Sequence, residues 1–183
     1  MDRDGFWELV EAARGQVDDT VVDPDGVADA LTKVLGGLPA DEIIGFGVQF
    51  ELLQAQAYRS DLWGAAYLIN GGASEDQFDS FRGWLVAQGR EAWEATLAEP
   101  DSLADVIDED LDDEFEGFDG EALLAVGPEA YSAAAGSEED YWSAVDAATP
   151  AAPDVPAGEN FDFDDAGEMH TRYPRLAILY LDS

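Results

Sequence analysis

The chain has 183 residues, 46% hydrophobic and 11% aromatic, enough apolar mass for a core, yet it carries 42 acids against 8 Lys plus Arg, a formal net charge of -34. A field of that sign repels phosphates and anionic membrane surfaces and attracts basic proteins and cations, which argues against nucleic-acid or membrane binding, while the apolar content argues against wholesale disorder. There is no cysteine, so disulfides, thiolate metal sites and thiol nucleophiles are excluded.

The opening MDRDGFWELV lacks the basic-then-apolar pattern of a secretory signal, and the late run LAILYL is too short to span a bilayer. A soluble cytoplasmic protein is expected. Lys33 is the only lysine; the other cations are Arg3, Arg14, Arg59, Arg82, Arg90, Arg172 and Arg175.

Phe6, Leu9, Val10 and Ala13 recur at helical spacing and predict a first helix over 4–14, with Asp4 as its cap. Asp23-Pro24 supplies a cap and a first-turn proline for a second helix carrying Val27, Ala30, Leu31, Val34 and Leu35, ended by Gly36-Gly37. A longer helix starts at Pro39 and steps through Ile43, Phe46, Phe50, Leu53 and Ala57. Ser60 or Asp61 caps LWGAAYLIN, and Asn70-Gly71-Gly72 stops it, because Gly and Asn tolerate left-handed backbone. Ser74 and Gln77 have capping-box spacing at the start of a helix carrying Phe78, Phe81, Trp84 and Leu85 and extending through Trp93 to Leu97. Residues 61–90 therefore read as a helical hairpin around a glycine turn.

From Glu99 to Glu121 the carboxylates are dense enough to disfavour tight packing. GEALLAVGPEAYSAAAG is helical, with a break or kink expected at Gly127-Pro128. TPAAPDVPAG has a proline at every third position and should be extended, semi-rigid and exposed. Beyond it, FDFDDAGEMHTRYPRLAILYLDS returns to aromatic and apolar residues and is expected to dock on the main body or on a partner. The resulting expectation is an all-α, compact multi-helix bundle, an acidic helical domain over 1–148, then a Pro-rich linker and C-terminal apolar segment over 149–183.

The phrases AYRSDLWGAAYLINGG, FRGWLVAQGREAWEATLAEPDSLAD and DFDDAGEMHTRYPRLAILYL resemble the bacterial family named domain of unknown function 4240. Trp63, Gly64, Asn70, Gly71, Gly72, Phe81, Arg82, Trp84, Gln88 and Gly89 carry the resemblance, which covers most of the chain and is weakest between about Asp108 and Glu159. It implies a small, mainly helical bacterial protein and brings no activity, cofactor or catalytic residue.

Two kinds of side chain are candidates for binding. Arg82 and Arg90, with the amides of Asn70 and Gln88 and with Tyr58 and Arg59 just before the hairpin, could clamp a carboxylate or phosphate; the plainer reading pairs Arg82 with Asp79 at i,i+3 and Arg90 with Glu94 at i,i+4. Trp63, Tyr67, Trp84 and Trp93 could line an aromatic pocket, although large apolar residues at helical spacing usually form core, and Asn70 reads equally as a helix C-cap. Asp108, Asp110 and Asp112 match positions 1, 3 and 5 of a calcium loop, but Asp113 and Asp119 stand where Gly and Glu are required, so no metal site is expected. His170 is the only histidine and has no catalytic companions in the sequence; no cofactor is expected. The favoured expectation is a non-enzymatic interaction module, of regulator, adaptor or immunity type, binding a basic protein or peptide. The alternative is an enzyme or small-molecule binder holding an anionic ligand between the hairpin helices. Oligomeric state is left open.

Overall fold

The computed structural model describes residues 1–107 and 117–182. Among these the secondary structure is helical, with one isolated bridge and no strand: α1 (Arg3–Arg14), α2 (Pro24–Leu35), α3 (Ala40–Ala57), α4 (Ser60–Ile69), α5 (Glu75–Ala87), α6 (Gly89–Ala98), a 3-10 helix (Pro100–Asp105), α7 (Glu121–Ala134), α8 (Glu138–Ala148), α9 (Ala166–Arg172) and α10 (Pro174–Tyr180). The calcium-template positions Asp108, Asp110, Asp112 and Asp113 lie outside the described residues.

Capping chemistry sets most helix starts. The Asp2 carboxylate accepts from Gly5 N, so α1 begins two residues ahead of the expected Asp4 cap; Asp23 caps α2, and Ser74 and Gln77 close the capping box of α5. A second box, Ser137 with Asp140, starts α8.

The core is a run of packed aromatic rings. Phe6 stacks on Phe46 at 4.7 Å and meets Trp7 edge-on, and Trp7 reaches Trp93. A second run goes from Trp63 to Phe78, Phe81 and Trp84 and reaches Phe118. Offset and edge-on ring pairs of this kind add about 0.5–1.5 kcal/mol each beyond burial. The four aromatics proposed as one pocket thus divide: Trp93 belongs to the first cluster, whereas Trp63, Tyr67 and Trp84 lie along the second and its edge.

Two helix expectations need correction. The helix from Ser74 does not run through to Leu97; the chain turns at Gln88–Gly89, and Gly89 takes φ +86°, a left-handed conformation that starts α6 in a new direction. Conversely, α7 runs unbroken through Gly127-Pro128. Gly127 and Gly47 leave the space that the Tyr141 hydroxyl occupies, since a Cβ on either would collide with it, and this contact seats α8 across α3 and α7.

The C-terminal segment docks in cis. The linker joins the body through one parallel bridge, Ala157 N donating to Tyr58 O (2.9 Å) and Ser60 N to Ala157 O (2.8 Å). Met169, Tyr173, Leu176 and Ala177 are buried, and the Tyr173 hydroxyl donates to Asp61 O. Asp101, itself buried, accepts from Arg175 N and Leu176 N at 3.0–3.1 Å, closing the start of α10. The described ends of the acidic stretch, 99–107 and 117–121, pack more closely than the charge suggested: Leu103, Ile107 and Phe118 are all buried.

Candidate functional site

A partly open groove of about 370 Å³ is lined mainly by the second half of α3, with Tyr58 just after it, and by the first half of α5. One wall is Phe50, Glu51, Gln54, Ala55 and Tyr58; Glu75, Asp79 and Arg82 form the opposite side. Leu124 of α7, Trp142 of α8, and Ala152 and Pro153 of the linker complete it. It is lined by three carboxylates and one guanidinium.

That guanidinium is already engaged. Arg82 is 7% exposed; Nη1 donates to Gln54 O (2.6 Å), Nη2 to the Asp79 carboxylate, and its carbon lies 5.2 Å from the Tyr58 ring centre and 5.0 Å from that of Phe78. Both the charge and the flat face of Arg82 are thus used inside the protein.

The acceptors in the groove are largely unused. Among the described residues Glu51 accepts no hydrogen bond and pairs with no cation, and burial pushes its carboxyl above the usual carboxylate range, outweighing the nearby Arg82 charge that pulls it down. Gln54 is 8% exposed, and neither side-chain amide atom has a hydrogen-bond partner. Leaving such a group unpaired in a buried wall costs about 1–3 kcal/mol. The Tyr58 hydroxyl donates to Glu75 over a long 3.3 Å. At the rim, Trp142 keeps 37% of its surface exposed.

The other residues proposed from sequence are held by the protein itself. Gln88 is 4% exposed and fully bonded: its carbonyl accepts from Thr20 Oγ1, and its amide donates to Thr20 O and Trp84 O. Trp84 is buried with its indole N–H on Val21 O. Asn70 ends α4 and accepts from Phe118 N at 2.9 Å, tethering the chain that enters α7. The indole N–H of Trp63 donates to Ala73 O, and the Tyr67 hydroxyl to Asp164 at 2.6 Å. Arg90 is not a groove residue; it is exposed and lies between Glu94 and Asp4 at 2.8 and 2.7 Å. Of the residues proposed from sequence, Arg82 and Tyr58 line the groove.

Glu51, Gln54 and Trp142 went unread in the sequence. Glu51 and Gln54 sit three apart on one side of α3, and Trp142 follows the unread capping box of α8, so helical spacing plus the box were the signals available. Among the described residues no group of three or more His, Asp or Glu side chains is gathered to hold a metal ion, and no helix is long and apolar enough to cross a membrane.

A sequence model of the family described as protein of unknown function (DUF4240) matches residues 1–133. No curated protein and no solved structure matches the chain.

Proposed function

The chain belongs to the DUF4240 family, whose description assigns no activity, and we propose that it is a non-enzymatic acidic module that binds a basic protein or peptide through the groove between α3 and α5. Glu51 carries this reading: a carboxylate set into a partly apolar wall, near Arg82 but in no ion pair with it among the described residues, is stabilised by a positive group that enters. Net charge supports it. Six of the seven arginines are in ion pairs within the protein, and Arg3 donates to Gln56 Oε1 at 3.1 Å, so the arginines are already engaged while a large excess of carboxylates remains in the chain. Such a field steers cationic partners and disfavours nucleic acid and anionic membranes. The anionic-ligand alternative draws less support, because Arg82 and Arg90 do not meet at one place and both face carboxylates.

The test is calorimetric titration of a peptide rich in both Lys and Arg at roughly 50 mM and roughly 300 mM salt, with wild type and Glu51→Gln. Binding that weakens with salt and weakens further in Glu51→Gln is expected. Binding unaffected by Glu51→Gln would remove the groove from the account.

A further inference from the structure

Resting on that reading, we infer that the groove takes the guanidinium of one arginine side chain of the partner peptide, in preference to a lysine ammonium.

The free acceptors set the shape of the ligand. Among the described residues Glu51 forms no ion pair, Glu75 receives only the long Tyr58 contact, and the buried Gln54 amide has neither its oxygen nor its nitrogen bonded. A guanidinium presents five N–H donors in one rigid plane and can meet several acceptors at once, whereas an ammonium is a compact point charge with three. The walls point the same way. The exposed Trp142 at the rim gives a flat apolar face, with the largely buried Phe50 and Tyr58 as apolar lining, against which a weakly hydrated planar cation would stack and a strongly hydrated ammonium would lose more water than it regains.

The protein already contains the same recognition in cis. Arg82 lies against the Tyr58 and Phe78 rings, with a backbone carbonyl and a carboxylate as its acceptors, so this wall holds one guanidinium and has matching chemistry left over. A volume of about 370 Å³ is at the low end for ligand sites and suits one side chain with its flanking backbone. The groove is partly open to solvent, as a chain passing through requires.

The experiment uses the full chain and ten-residue peptides, identical except for a central arginine, lysine or citrulline, with free arginine as a further arm; affinities are measured by calorimetry for wild type, Glu51→Gln, Glu75→Gln and Trp142→Ala. The arginine peptide should bind about tenfold or more tighter than the lysine peptide, the citrulline peptide should lose most of the affinity, and each variant should cost the arginine peptide at least severalfold. Circular dichroism melts confirm that each variant is folded; Glu51→Gln keeps the side-chain shape, so it serves where Trp142→Ala does not fold. Equal affinity for arginine and lysine peptides, both lost in Glu51→Gln, would overturn the guanidinium assignment and leave the acidic module standing. No loss in Glu51→Gln or Glu75→Gln with any peptide would overturn both. Free arginine binding as tightly as the peptide would overturn the peptide as its source.

Discussion

Replacing Gly120 by alanine should destabilise the protein more than any strain at that residue explains. Gly120 sits at φ -131°, where alanine is unstrained, but an added Cβ would lie 2.6 Å from Trp84 Cα and 2.7 Å from the Gly83 carbonyl carbon. Carbon atoms prefer about 3.5–4.0 Å, so the entry to α7 must retreat from α5 by roughly 1 Å. These obstacles are backbone atoms, and no rotamer change relieves them. The retreat stretches the hydrogen bond from Gly120 N to Ser80 O, now 3.0 Å. Losing it costs about 1 kcal/mol and the overpacking about 1–3 kcal/mol, against a gain of about 0.5 kcal/mol from a stiffer unfolded chain. The net is about 2–3 kcal/mol, a fall in Tm of about 5–10 °C for a chain of this size. The control is Gly71→Ala: Gly71 has φ +64° and no atom within 4 Å of its Cβ position, so only left-handed strain of about 1 kcal/mol applies. Thermal melts followed by circular dichroism would refute the reasoning if Gly120→Ala were no less stable than Gly71→Ala.

Asp101→Ala removes the carboxylate that closes α10 and should cost about 2 kcal/mol. Limited proteolysis should then cut the linker between 151 and 159 faster, and an unchanged cleavage rate would count against the latch. Glu51→Gln should raise stability at pH 7: its folded pKa is raised, so the ionisation penalty on the folded state is absent below the unfolded pKa and complete above the folded one. Urea titrations at about pH 3 should show no such gain, because Glu51 is then protonated in both states. His170 should titrate above the ordinary histidine value, since Nδ1 faces Ala166 O at 2.6 Å and Nε2 faces Asp182 at 3.2 Å, and only the imidazolium donates to both. Its contribution to stability is present below the unfolded pKa and lost as pH rises through the folded one. Proton NMR of Asp182→Asn should show a smaller upward shift that the Ala166 carbonyl still maintains.

The helical class and the glycine turn at 71–72 were legible because they rest on local signals, a capping box and a strong stop, which act over a few residues whatever the tertiary context. The turn at Gly89 was not, since Trp93 and Leu97 continue the apolar spacing of α5 and periodicity does not register one left-handed residue between them. Pro128 misled for the opposite reason: proline weakens a helix locally, but here Tyr141 filling the space beside Gly127 fixes α7 from outside. The groove was the least legible feature. Its walls come from five places in the chain, and what sets Glu51 apart is burial without an ion partner, which no composition records.

Arginine usage gives that missing partner its meaning. In a chain so acidic, each guanidinium could have been left at the surface to reduce repulsion, yet Arg82 is buried against two rings, Arg59 reaches across to the Leu97 carbonyl, and Arg172 covers the Phe161 ring at 4.0 Å. The cations are used to join helices, where one planar group can satisfy a carbonyl, a carboxylate and an aromatic face together. Glu51 and Gln54 stand beside the most buried of these joints and lack a guanidinium of their own. On the proposed reading, the unpaired groups beside Arg82 would serve a second guanidinium supplied from outside, and the net charge of the chain would draw such a partner to it.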